Sequence, residues 1–288
     1  LFAYPAQSNF TGVQHSFAWI ERAQEKGWDV LLDAAAYVPT SRLDLCRWRP
    51  EFCVLSFYKI FGYPTGIGCL LARKSALAKL HRPWFAGGTI TVASVQPDRY
   101  YLHQGGEAFE DGTLNYLNLP AIETGLRYIA EIGVDTIHTR VQCLTGWLLD
   151  ELTELRHSNG RPLIQVYGPT DTHCRGGTIT FNLYDPEGHF IDHRLVEFYA
   201  NRVKISLRTG CFCNPGGGEL ALGISSEELS ACFRTRDRLT LDEFRRCIDD
   251  KSTGAVRVSV GLVTTFEDIY YLVEFVSSFV DKPAHLHI

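Results

Sequence analysis

Two short apolar runs, with an amphipathic stretch between them, constrain this chain most. Leu1-Phe2-Ala3-Tyr4 and Trp28-Asp29-Val30-Leu31-Leu32 read as buried strands. Between them, residues 14–26 place Phe17, Ile20 and Ala23 on one face of a helix that Gly27 stops. A strand–helix–strand order predicts a parallel pair in one sheet, and therefore an α/β fold with flanking helices. Phe52-Cys53-Val54-Leu55 adds a further strand, and residues 67–71 another. Ligands of such sheets gather at the carboxyl ends of the strands. Asn9, Asp33 and Lys59 all fall at or just past such ends.

Lys59 closes Ser56-Phe57-Tyr58-Lys59, and the turn Gly62-Tyr63-Pro64-Thr65-Gly66 follows. The expectation is a lysine inside the protein, where desolvation disfavours the ammonium and leaves the neutral amine that Schiff-base chemistry needs. The plain alternative is a lysine that snorkels to the surface. Asp33 ends an apolar run, so its carboxylate needs a partner. A protonated heterocyclic nitrogen would serve, and so would a turn that the aspartate caps. Ser56, Thr65 and Thr113 can donate to a phosphate or serve turns of their own, and Asn9 is open to the same two readings. Arg208 stands where a guanidinium could grip a small carboxylate or form a surface ion pair. Cys211 and Cys213 flank Phe212 on a glycine-bounded turn, where an exposed thiol near Arg208 can act as a nucleophile.

The net charge of −5 gives no footprint for nucleic acid or an anionic membrane, and no apolar run reaches the roughly 20 residues of a span. Nine cysteines without a CxxC pair predict buried reduced thiols, notably Cys46, Cys53, Cys69, Cys143 and Cys174, and a cytoplasmic setting. His189 and His193 have helical spacing but no evident ligand set around them, so no metal site is expected.

The chain is expected to divide into residues 1–133, a partial cofactor-binding domain, and 134–288, a linking helix with a smaller α+β domain. Residues 82–118 read as a long irregular stretch, and 120–132 and 136–155 as helices. Strands are expected at 163–166, 178–183, 204–207 and 255–260. Helices are expected at 192–201, 226–233, 241–249 and 266–279. The chain contains no methionine and opens in mid-strand, which reads as a fragment.

The runs Pro5-Ala6-Gln7-Ser8-Asn9-Phe10-Thr11-Gly12, Leu31-Leu32-Asp33-Ala34-Ala35, the lysine segment, Phe109-Glu110-Asp111-Gly112-Thr113 and Leu207-Arg208-Thr209-Gly210-Cys211-Phe212-Cys213-Asn214 carry a resemblance. The chain resembles the cysteine-desulfurase-like domain of the molybdenum cofactor sulfurases, in the class V aminotransferase group of pyridoxal phosphate enzymes. The resemblance implies fold type I and a homodimer. It implies L-cysteine as substrate and the molybdenum cofactor as sulfur acceptor. Lys59 would carry pyridoxal 5'-phosphate, Asp33 would face its ring nitrogen and Asn9 its phenolic oxygen. Ser56 would hold the phosphate, and Thr113 the phosphate of a neighbouring subunit's cofactor. Arg208 would bind the substrate carboxylate. Cys213 would carry the persulfide, with Cys211 a dispensable neighbour. There are departures: Tyr58 stands where desulfurases commonly place His, as an aromatic does in the sulfurases, Ala36 where desulfurases often place Gln, and Gly216-Gly217-Gly218 where sulfurases often carry a further Cys. The family's glycine-rich phosphate loop would lie upstream of Leu1, and its molybdopterin-binding domain beyond Ile288. A general cysteine desulfurase or other class V pyridoxal phosphate lyase, and an inactive fragment acting only as an interaction module, are the alternatives.

Overall fold

The computed structural model describes residues 1–234, 240, 243 and 254–284. The helix expected at 241–249 lies outside the described residues. The chain forms two compact units: Leu1–Ala6 with Ser16–Asp135, and Gln7–His15 with Thr136–Ile288.

The first unit is built on a sheet of β1 (Phe2–Pro5), β2 (Val30–Asp33), β3 (Phe52–Ser56) and β4 (Gly68–Ala72), in that spatial order. β1 and β3 run parallel to β2; the crossover helix α1 (Ala18–Glu25) joins β1 to β2, and the long turn-rich connection 34–51 joins β2 to β3. β4 returns antiparallel to β3, because the link between them is short and holds only the one-turn helix α2 (Phe57–Phe61). Tyr4, Ala6, Ile20, Val30, Leu32, Ala34 and Cys53 form the core of this layer. α1 starts later than the expected 14–26. Gln14 is bridged to Gln7, and its amide donates to Cys174 O at 2.8 Å, so helical hydrogen bonding can begin only beyond His15.

The stretch expected to be irregular holds more structure than its composition suggests. After α3 (Lys74–Leu77) come an antiparallel hairpin, β5 (Ile90–Ser94) with β6 (Arg99–Leu102), and a 3-10 turn at Gly105–Phe109. α4 (Pro120–Ile132) has Pro at its start and Gly133, at φ 88°, at its end.

The second unit carries β7 (Ile164–Tyr167), β8 (Thr178–Tyr184), β9 (Phe190–Ile191), β10 (Arg208–Gly210) and β11 (Ala255–Ser259), paired antiparallel in the order β10-β11-β8-β7, with β9 on β8. Its helices are α5 (Val134–Glu154, whose first two residues count with the first unit), α6 (His193–Arg202), α7 (Pro215–Ala221), α8 (Ser226–Arg234) and α9 (Phe266–Ser277). Ile137, Val141, Leu148, Leu149 and Leu152 of α5 are buried, as are Ile179, Phe181 and Leu183 of β8.

Two expectations need correction here. The strand expected at 204–207 begins only at Arg208, because Lys204 at φ 64° and the bond from Ile205 N to Ala200 O use those residues to terminate α6. The glycine-rich stretch expected only to bound the cysteine turn starts a helix instead. Asn214 caps α7 by accepting from Gly217 N at 3.0 Å, with Pro215 at the first position. Among the described residues no helix is long and apolar enough to cross a membrane.

Candidate functional site

In the first unit, Asp33 and Ser56 end the neighbouring parallel strands β2 and β3, and Lys59 follows one turn later in α2. An amine, a carboxylate and a hydroxyl therefore share the carboxyl edge of one sheet. Lys59 is exposed, not inside the protein as expected. The reason is helical geometry. Phe57 and Phe61 are one turn apart with stacked rings 6.2 Å apart, and Lys59 between them points to the other side. Gly125 of α4 lets Phe61 approach closely, since a Cβ there would meet the ring at 2.4 Å. Among the described residues Lys59 Nζ has neither a hydrogen-bond nor an ion-pair partner.

Asp33 is likewise exposed, and its Oδ1 accepts from Ala35 N at 2.9 Å. The turn-capping reading thus holds for one oxygen, while Oδ2 has no partner among the described residues. Ser56 is half-buried at the start of α2 and makes no capping bond with its side chain. Thr113 belongs to no strand or helix. It is exposed after Gly112, whose amide donates to Gly87 O at 2.6 Å.

In the second unit, Asn9, Arg208 and the two cysteines meet around one turn. Asn9 Nδ2 donates to Phe212 O at 2.8 Å, and Asn9 Oδ1 accepts from Asn214 Nδ2 at 3.0 Å. Arg208 opens β10 in register with Arg257 of β11. Cys211 and Cys213 are both exposed, while Phe212 between them is 5% exposed and packs with Phe10, Tyr167 and Ala255.

Arg257 was not legible in the sequence as a site residue; its one signal is a charge within Ala255-Val256-Arg257-Val258-Ser259. Its guanidinium lies over the Phe212 ring at 4.7 Å and donates to Asn9 O at 3.0 Å. Its Nε is buried without a hydrogen-bond partner. Burial, and then the charge of Arg208, lower the Arg257 pKa, while Cys213 acts in the opposite direction. Two guanidiniums side by side, one of them short of a partner, make a place for a small anion.

Of the thiols expected to be buried, Cys53 is buried and Cys69 half-buried, but Cys46, Cys143 and Cys174 are exposed. Short apolar neighbours on a helix or a turn do not guarantee burial. Cys232 is disulfide-bonded. Asp185, Glu187 and His189 bring ligand atoms within 4.8 Å of one another. The Asp185 oxygens already accept from Glu187 N, His189 N, His189 Nδ1 and Ala284 N, so the cluster reads as a locked turn.

The sequence profile named Aminotransferase class-V matches residues 1–272. The chain belongs to the class-V aminotransferase family. The chain is 36% identical to the molybdenum cofactor sulfurase of Homo sapiens over 295 residues, covering 96% of the chain and 32% of the human protein. It is 37% identical to the molybdenum cofactor sulfurase of Caenorhabditis elegans, covering 99% of the chain and 41% of the nematode protein. The chain thus spans well under half the length of these relatives. Among solved structures it superposes on the cysteine desulfurase of Thermococcus onnurineus NA1 with a TM-score of 0.73 and 24% identity, covering 96% of this chain and 59% of that one. The cysteine desulfurase CsdA of Escherichia coli gives 0.71 and 20%, covering 96% and 58%. At such identities the likeness is one of fold.

Proposed function

We propose that this chain takes sulfur from L-cysteine with pyridoxal 5'-phosphate, holds it on Cys213 as a persulfide, and passes it to the molybdenum cofactor, releasing L-alanine. The observation that carries the reading is Cys213, exposed on a turn beside paired arginines, in a chain 36% identical to a molybdenum cofactor sulfurase over nearly its whole length.

The donor set suits the cofactor. Lys59 Nζ is uncommitted, Asp33 Oδ2 is free to meet a ring nitrogen, and the Ser56 hydroxyl is unused by its own helix. When bound, pyridoxal phosphate supplies an electron sink for bonds at the substrate's α- and β-carbons. Asp33 would hold a proton at the ring nitrogen, Ser56 would donate to the phosphate, and Asn9 would offer its second amide proton to the phenolic oxygen. Lys59 Nζ takes the α-proton and returns one to carbon. Arg208, with Arg257 beside it, holds the carboxylate. Cys213 Sγ attacks the substrate sulfur. The carbon–sulfur bond breaks, a sulfur–sulfur bond forms, and the carbon side keeps the electron pair and is protonated to L-alanine. Thr113 would reach the cofactor phosphate of a second subunit in a homodimer. A cytoplasmic setting belongs to the same reading.

Pyridoxal phosphate added to the purified chain should produce the visible absorbance of the lysine-bound form, and Lys59→Ala should remove it. Its absence from well-folded protein would favour an interaction module. Loading with radiolabelled L-cysteine should then place sulfur on Cys213. Transfer to other acceptors, with none to desulfo molybdenum cofactor, would make the protein a general cysteine desulfurase.

A further inference from the structure

The turn between β10 and α7 carries two consecutive non-glycine residues in the left-handed region, Phe212 at φ 56° and Cys213 at φ 58°. L-residues avoid this region because Cβ crowds the backbone, and a bulky aromatic there is an outlier. Such backbone persists only where its surroundings over-determine it. Here the determining contacts converge on the two neighbours of Cys213 and leave its side chain alone.

The Phe212 ring is buried in the cluster of Phe10, Tyr167 and Ala255, with its centroid 5.4 Å from that of Phe10, and the Arg257 guanidinium covers it at 4.7 Å. The Phe212 carbonyl accepts from Asn9 Nδ2, and Asn214 Nδ2 donates to Asn9 Oδ1, so one asparagine grips the residues before and after Cys213. Asn214 N closes the turn on Cys211 O at 2.9 Å. Starting α7 would need none of this, since the Asn214 side chain caps the helix by itself. What the arrangement does achieve is an exposed–buried–exposed alternation at Cys211, Phe212 and Cys213.

We propose that Phe212 is the positioning residue of Cys213: its buried ring pegs the turn, so that the thiol beside it is presented at the surface in one fixed backbone geometry. The function of this presentation rests on Cys213 being the sulfur carrier; the pegging does not.

Hydrogen exchange read by mass spectrometry, together with steady-state kinetics, tests this on Phe212→Ala and Phe212→Tyr. Phe212→Ala should speed exchange in the peptide that spans Gly210 to Leu222, leave β8 and β11 unchanged, and lower kcat for alanine release on the order of tenfold with KM for L-cysteine unaltered. Phe212→Tyr, which keeps the peg, should restore both. Unchanged exchange in the turn overturns the proposal. So does faster exchange across β8 and β11 alike, which would make Phe212 a core residue only, and so does unchanged kcat with a loosened turn. Should Phe212→Ala not fold, Phe212→Leu, which keeps an apolar side chain against Phe10, Tyr167 and Ala255 but loses the ring, is held to the same outcomes. If the unaltered protein releases no alanine, the sulfur-carrier reading fails while the exchange data still decide the pegging.

Discussion

Arg208 and Arg257 stand directly opposite each other across the β10–β11 ladder. Like charges in such a pair destabilise a sheet by a few tenths to about 1 kcal/mol, and burial of Arg257 adds to the strain on its charge. A carboxylate held between them would relieve both. Arg208→Ala should therefore raise the melting temperature slightly while raising KM for L-cysteine roughly 10- to 100-fold, the loss of one charge-assisted contact. Thermal melts and kinetics on one preparation check this. A lower melting temperature with unchanged KM would remove Arg208 from the site.

The exposed and buried thiols should separate cleanly under alkylation near neutral pH. Cys213 and Cys211 are exposed, whereas burial first, and then Cys69 and Asp33, push the Cys53 thiol up to about 11. Cys53 should react at least roughly a hundredfold more slowly than an exposed thiol of ordinary pKa, in proportion to its thiolate fraction. Cys213→Ala should abolish sulfur transfer and leave cofactor absorbance intact, while Cys211→Ala keeps transfer. Transfer surviving in the Cys213 variant would mean another carrier.

Arg175 is fully buried, and burial lowers its pKa to about 10 against the opposing pull of Asp171. It donates to the carbonyls of Pro169, Thr178, Thr11 and Gly176. Arg175→Met keeps much of the volume but orphans these acceptors, and should cost about 3–5 kcal/mol in urea unfolding. A loss under about 1 kcal/mol would show that water replaces the guanidinium.

Acid should loosen the second unit through Asp185. Burial alone would raise this carboxyl, but bonds from the His189 amide, the Ala284 amide and the His189 ring leave it below its ordinary 3.8. A depressed folded value means that the contribution is complete above 3.8 and is lost as pH falls through the folded value. Asp185→Asn should therefore flatten the fall of stability with pH below about 4. An unchanged acid limb would assign that fall to other carboxylates.

The apolar run of β2, the helix bounded by Pro120 and Gly133, and the order of Asp33 and Lys59 were legible because each depends on neighbours in sequence. Lys59's exposure was not, since it follows from the docking of Phe61 against Gly125, more than sixty residues away. The helix α7 hid behind Gly216-Gly217-Gly218, although Asn214-Pro215 is a fair start signal. Phe212 and Arg257 escaped because a ring and a charge become site residues only when two distant strands bring them to the same turn. The companions of Asn9 were invisible for the same reason, being more than two hundred residues downstream.

The allocation of Gln7–His15 to the second unit, between stretches that belong to the first, means that the chain is stitched rather than concatenated. No single cut yields both units whole. Severing the chain after Asp135 leaves the later piece without Phe10, whose side chain is fully buried beside Phe212, and without the Asn9 grip on the cysteine turn. A truncation that keeps only the piece after residue 135 would thus reach the thiol indirectly, by taking away nine residues from the opposite end of the sequence.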